Sequence, residues 1–264
     1  MKINILGCGW LGFPLAKHLL KNGHQVQGST TTESKINEFV TTGLKPVLLK
    51  FTPKAEGNLA DFLACDTLVI SIPPRAGKYG DDFHVQQIES IIEAFEATKP
   101  QSIIYISSTS VYPETNQELD ESAATLPNSA LVKVEELLKN TGKPCTILRC
   151  GGLMGYDRIP AKYVAGKKIS NGHIPVNFVH QDDVVGIISL IIEQQILGKI
   201  YNVVAPQNPL RIDVYQKTCE DFGYEVPIFE DDETIPFKII SPEKLILETG
   251  YKFIFPDPLG FRYS

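Results

Sequence analysis

The first twelve residues, MKINILGCGWLG, constrain the fold more than any other stretch. A short apolar strand runs directly into Gly7-Cys8-Gly9-Trp10-Leu11-Gly12, and a helix-like run follows at once. This is GxGxxG in the strand–turn–helix context that gives the motif its meaning. Gly7 permits the tight turn out of the strand. Gly9 lets the backbone approach phosphate oxygens. Gly12 lets the helix pack closely on the sheet. The amides of Trp10, Leu11 and Gly12 and the positive helix end then face a diphosphate. Leu11, Leu15, Ala16, Leu19 and Leu20 recur at helical spacing, and Asn22-Gly23 supplies a stop.

The same alternation continues. Strands are expected at Lys2–Leu6, Gln25–Ser29, Pro46–Lys50, Thr67–Ile72, Ser102–Ser107, Thr146–Arg149 and Lys199–Val204. Helices are expected at Leu11–Asn22, Glu33–Thr42, Asn58–Cys65, Asp82–Thr98, Ser129–Asn140 and Asp182–Gln195. Strand–helix alternation with right-handed crossovers gives an α/β doubly wound parallel sheet, a Rossmann fold. After Arg149 the pattern breaks up, and residues 205–264 carry seven prolines. The expected organisation is a dinucleotide-binding domain of 1–150 plus 179–204. A small C-terminal α/β cap of 151–178 plus 205–264 would hold the substrate.

Composition narrows the partners. The net charge of −6 argues against nucleic-acid binding. No apolar run approaches the roughly 18 residues of a membrane span. Five scattered cysteines without CxxC suggest reduced thiols in a cytoplasm, and no metal-ligand spacing is present. Cys8, at a helix start, is a weak candidate for a reactive thiol.

Ligands of doubly wound folds bind at the carboxyl ends of the strands. The second strand runs out through Ser29, Thr30 and Thr31 with no acid at its end, and Lys35 follows. Hydroxyls and a cation suit a ribose 2′-phosphate, so the expected cofactor is NADP, with NAD as the alternative. Glu33 reads as a first-turn helix acid. The fourth strand ends Ile72-Pro73-Pro74-Arg75, a rigid wall for a dinucleotide. Arg75 and Lys78 beyond it are either anion contacts or plain solvated charges.

The fifth strand ends Ser107-Ser108-Thr109-Ser110-Val111-Tyr112. With this run the chain resembles the atypical, epimerase-like branch of the extended short-chain dehydrogenase/reductase superfamily, which holds NAD(P)-dependent sugar epimerases and dehydratases. Asp120-Glu121-Ser122, Ile147-Leu148-Arg149, Phe178-Val179-His180-Gln181-Asp182-Asp183-Val184 and Tyr201-Asn202-Val203 are similar to further segments of that family. The resemblance implies that Ser107 lies against the cofactor and that Ser108 hydrogen-bonds the substrate oxygen. It implies hydride transfer at a carbinol or ketone carbon of a small metabolite, with a nucleotide sugar as the family's substrate class. Arg158 and His180 are the matching substrate contacts, though His180 also reads as a strut between sheet and cap. A homodimer is the candidate assembly.

The match fails at one place. The superfamily's Tyr-x-x-x-Lys is absent, and counting back from Lys133 puts Ser129 in the tyrosine slot. His84 stands near the family's catalytic Asn. Three readings stay open: Tyr112 or Tyr156 transfers the proton, the chemistry needs no such acid, or the protein is a regulatory module that binds NADP(H) without turnover.

Overall fold

A computed structural model describes residues 1–96, 100–230 and 235–263. Seven strands form the central sheet: β1 (Lys2–Leu6), β2 (Gln25–Thr30), β3 (Lys45–Leu48), β4 (Thr67–Ile70), β5 (Ser102–Ser108), β6 (Cys145–Cys150) and β7 (Ile200–Val203). Their spatial order is β7-β6-β5-β4-β1-β2-β3, and the sheet is parallel. Order reverses between β1 and β4, so the switch point lies where the glycine turn leaves β1.

The described helices follow the sequence pattern only in part. They are α1 (Gly12–Lys21), α2 (Ile36–Thr41), α3 (Leu59–Leu63), α4 (Ala76–Tyr79), α5 (Asp82–Glu93), α6 (Ala130–Lys139), α7 (Gln181–Glu193), α8 (Arg211–Phe222) and α9 (Glu243–Thr249). Every residue of β4 is buried, as a strand covered on both faces requires. Leu68, Ile70, Ile88, Ile91, Ile103 and Leu138 anchor the core that sheet and helices share.

Several boundaries differ from expectation. The strand expected over 46–50 ends at Leu48, and Lys50–Phe51 pairs separately with Ala55–Glu56. The strand expected to reach Ile72 stops at Ile70, which frees Ser71 and Ile72 to turn. Helix α5 ends at Glu93 and tightens into a 3₁₀ turn over Ala94–Glu96, while Thr98 lies outside the described residues. Helices α8 and α9 arise in the proline-rich part of the chain, where no helix was expected. Val214, Thr218 and Cys219 are the buried residues of α8, too short an apolar stripe to announce a helix.

The chain divides into two compact units. The first comprises Met1–Val111, Leu126–Leu148 and Ile188–Ile200, and holds most of the sheet. The second comprises Tyr112–Thr125, Arg149–Ile187 and the chain from Tyr201 onward, with its own core around Ile159, Ala161, Ala205, Cys219 and Phe261.

The second unit depends on a buried carboxylate. Asp183, at the start of α7, is fully buried and accepts the Tyr251 hydroxyl at 3.0 Å, the Ile254 N–H at 2.7 Å and the Phe255 N–H at 3.1 Å. It therefore ties residues 251–255 to the start of α7. Asp183→Asn keeps one acceptor oxygen and presents an amide to donors. It is expected to cost about 2–3 kcal/mol in urea unfolding, from buried donors left unpaired. A loss below about 0.5 kcal/mol, the level of ordinary surface changes, would show that this anchor contributes nothing.

Candidate dinucleotide site and adjoining cavity

The three motif glycines meet three different constraints. Gly7 has φ +96°, and a Cβ there would lie 2.7 Å from the Ser71 carbonyl oxygen. The β1 turn thus packs directly on the end of β4. A Cβ on Gly12 would drive into the Gly7 carbonyl oxygen and sit 3.1 Å from the Ile5 side chain. Gly9 is exposed, and a Cβ on it would meet nothing within 4 Å. Two glycines are tight against protein and the third faces open space, which is the cradle a diphosphate needs.

Neighbouring residues fix this turn. The Gly7 N–H donates to Ser29 Oγ at 2.9 Å, and the Cys8 N–H donates to the Ser29 carbonyl at 2.8 Å. Ser29 therefore holds the glycine turn through both its side chain and its backbone. The Cys8 thiol is buried and donates to the Gly12 carbonyl at 3.3 Å. Burial pushes its pKa up to about 12 despite the pull of the Lys35 charge, so it stays a thiol. Leu11 is buried as the residue preceding α1, and Trp10 is half-buried beside the exposed Gly9. The Gly9 N–H donates to the Gly7 carbonyl at 2.8 Å and the Phe13 N–H to the Gly9 carbonyl at 3.0 Å, which closes the turn into α1.

Past β2, the Thr30 hydroxyl accepts the Thr32 N–H at 3.1 Å and is turned into its own loop. Thr31, Ser34 and Lys35 are exposed. Past β4, Ile72 is half-buried and Pro73 exposed, with Ile72 against the Gly7 turn. At the end of β5, the buried Ser107 hydroxyl donates to Glu135 Oε1 at 2.6 Å. Ser108 is half-buried and its Oγ accepts the Ser110 N–H at 3.1 Å.

A cavity of about 550 Å³ opens at these strand ends. Pro74, Ala76 and Asp81 form one wall. Ser110, Asn128 and Ser129 lie on another, so the expected tyrosine slot is void space edged by a serine. Arg75 is exposed, with left-handed φ of +53°, at the start of α4.

Tyr112, Arg158 and His180 belong to the second unit. Tyr112 is 1% exposed. Its hydroxyl donates to Asn202 Oδ1 at 2.9 Å and accepts from Arg149 Nη1 at 2.7 Å. Burial raises its pKa, outweighing Arg149. Tyr156, the other phenol considered, is exposed and donates to the Asp182 carboxylate at 3.0 Å. Fully buried His180 accepts the Asp182 N–H at Nδ1, so the proton sits on Nε2 and donates to the Arg262 carbonyl at 2.9 Å. Its ring packs at a tilt against Phe255 and edge-on against Phe261. Arg158 is half-buried and exchanges backbone hydrogen bonds with Gly155.

Glu135 had no sequence signal beyond residue type: it takes the Ser107 hydroxyl on a helix face otherwise made of Val132, Val134 and Leu138. His84, expected near the family's catalytic Asn, has both ring nitrogens engaged by the core. His84 Nε2 pairs with the Tyr105 hydroxyl at 2.9 Å and Nδ1 with Gln87 at 3.2 Å, which makes it a core strut. Burial lowers the His84 pKa and keeps the ring neutral.

No group of His, Cys, Asp and Glu among the described residues could hold a metal ion. No described helix is long and apolar enough to cross a membrane.

Comparison with known proteins agrees with this geometry. A family model described as NAD(P)H-binding matches residues 7–189. Protein YeeZ of Escherichia coli K12 is 35% identical over 267 residues, covering 98% of this chain and 97% of that one. UDP-glucuronic acid 4-epimerase from Bacillus cereus, solved with UDP-glucuronic acid and NAD, superposes with a TM-score of 0.78 at 20% identity, over 99% of this chain and 98% of that one. Human epimerase family protein SDR39U1, solved with NADPH, gives a TM-score of 0.71 at 17% identity, over 98% and 96%. The chain belongs to the NAD(P)H-binding family and shares the fold of the epimerase-like short-chain dehydrogenases/reductases.

Proposed function

We propose that this protein is an NADP(H)-linked oxidoreductase of the epimerase-like type, acting at a carbinol or ketone carbon of a small metabolite. A nucleotide sugar is the substrate class, by analogy with the Bacillus cereus enzyme. The observation that carries the reading is the cavity lined by residues that follow β4 and β5, with Pro74 four past Ile70 and Ser110 two past Ser108. Its polar wall of Ser110, Asn128 and Ser129 suits a hydroxylated ligand.

The glycine turn from Gly7 to Gly12 would hold the diphosphate through amides and the α1 dipole. The phosphorylated ribose would meet exposed Thr31 and Lys35. Support for this end comes from β2, which closes without a carboxylate, and from the exposed Lys35 that follows it. When bound, the nicotinamide supplies a hydride carrier, and the chain supplies orientation and proton handling. Ile72 and Pro73 form the apolar wall that excludes water. Ser108, its lone pair already engaged by the Ser110 N–H, points its own proton at a substrate oxygen.

Ser108→Ala is expected to lower kcat/KM by about 10²–10³-fold, the usual cost of one lost donor at a developing oxyanion. Calorimetric affinity for NADPH should be unchanged. The assay is nicotinamide absorbance with a panel of nucleotide sugars and nucleotide keto-sugars. Equal rates for variant and parent would remove Ser108 from the chemistry. No turnover by the parent, with tight NADPH binding, would favour the regulatory module that the missing Tyr-x-x-x-Lys suggests.

A further inference from the structure

The cavity beyond β4 and β5 has a lining that sorts ligands by charge. Its neutral polar groups are Ser110, Asn128 and Ser129. Among the described residues, Asp81 is the one charged side chain that lines it. Arg75 and Lys78, on the same stretch of chain, do not line it. Lys78 lies over the Tyr79 ring, 4.9 Å from the centroid, and Arg75 is exposed.

Two of the lining residues begin helices. Asp81 precedes α5 and Ser129 precedes α6, at positions where a carboxylate or hydroxyl ordinarily accepts a helix amide. Neither side chain makes that bond. The two walls therefore make opposite demands on a ligand. Asp81 accepts hydrogen bonds and repels anions. The start of α6 has no acid in its first turn and no capping side chain, so it offers amide donors and positive potential. An acid on the ligand would suit α6 and be repelled by Asp81. An ammonium would suit Asp81 and meet the positive end of α6. A hydroxyl satisfies both walls, because it donates to one and accepts from the other. Ser110 and Asn128 also donate and accept.

We infer, on the nucleotide-sugar reading above, that the cavity holds an uncharged, hydroxyl-bearing sugar ring and that Asp81 is the specificity-determining residue that rejects a uronic acid. The ring hydroxyls donate to the Asp81 carboxylate and accept from the α6 end, while Pro74, Leu126 and Leu131 cover the C–H face. The charged parts of the substrate stay outside the cavity.

Calorimetry on the NADPH-loaded protein tests this with UDP-glucose and UDP-glucuronic acid, which differ only in a hydroxymethyl or a carboxylate on the same ring. UDP-glucose should bind the parent at least about tenfold tighter. The ratio should shrink as salt rises, because salt screens a charge that reaches solvent. In Asp81→Asn it should fall to within about threefold, through tighter binding of the acid. Melting temperature and NADPH affinity should stay those of the parent, because Asp81 caps no helix. UDP-glucosamine should bind no tighter than UDP-glucose. Equal affinities for UDP-glucose and UDP-glucuronic acid in the parent, tighter binding of the acid, or an unchanged ratio in Asp81→Asn overturns the assignment of Asp81. Binding of UDP-glucosamine about tenfold tighter than UDP-glucose overturns the neutral ring. NADPH binding with no affinity for any of the three overturns the inference and leaves the dinucleotide site standing. Absence of NADPH binding overturns both.

Discussion

Gly9→Val is expected to weaken NADPH binding at least about 100-fold, equivalent to about 2.7 kcal/mol, while changing fold stability by less than about 1 kcal/mol. The contrast follows from where the new atoms go. At Gly9 the side chain enters open space that a diphosphate would fill, since its Cβ meets nothing within 4 Å. The other motif glycines fail differently. Gly12→Ala pushes a methyl into the Gly7 carbonyl and toward Ile5, so α1 must lift off β1. Overpacking of that kind costs about 1–3 kcal/mol. Gly7→Ala adds a strained left-handed φ to a clash with the Ser71 carbonyl, so it is expected to lose stability first. Thermal melts with and without dinucleotide separate the three. A ligand at 100 times its Kd adds roughly 2.7 kcal/mol to the parent protein. Gly9→Val should melt like the parent without ligand and gain nothing with it. If Gly9→Val is stabilised as much as the parent, the diphosphate does not lie over Gly9.

This contrast also marks what the sequence could and could not convey. The glycine turn was legible because all its constraints are local: a strand, a turn and a helix within the first 21 residues. The sheet strands were legible from buried runs such as Leu68-Val69-Ile70. Pairings between distant residues were not. Ser29 was expected at the ribose, yet its hydroxyl holds the Gly7 N–H across 22 positions. Nothing in VHQDDV announces that residues 251–255 will donate to the Asp183 carboxylate. The cavity needs residues 74–81 and 126–131 brought together by strand order, which local periodicity does not encode.

Arg149→Ala is expected to destabilise the protein by about 2–4 kcal/mol, from the buried volume it empties and the buried phenol it leaves without a donor. Arg149 is nearly fully buried, with its guanidinium 5.0 Å from the Tyr112 ring centroid and Nη1 on the phenol oxygen at 2.7 Å. The chain of contacts continues from Tyr112 to Asn202, whose side-chain amide donates to the Ser241 carbonyl at 3.2 Å. The Asn202 N–H in turn donates to Glu121 Oε1 at 2.6 Å. Removing the guanidinium leaves the phenol without a donor and empties the space its stem fills. Arg149→Met restores most of that apolar volume, so it should recover part of the loss. Tyr112→Phe should cost about 1–3 kcal/mol, because both Arg149 and Asn202 then lose a buried partner. Residues in one hydrogen-bonded chain do not act independently, so the double variant Arg149→Met, Tyr112→Phe should be less destabilised than the two single losses together, with a coupling of at least about 1 kcal/mol. Urea unfolding of the four proteins measures it. Additivity within about 0.3 kcal/mol would mean that the two side chains do not support one another. A large coupling in ligand-free protein would place the Tyr112 hydroxyl in the framework of the fold, because a phenol whose proton and lone pair both serve buried neighbours has neither to offer a substrate.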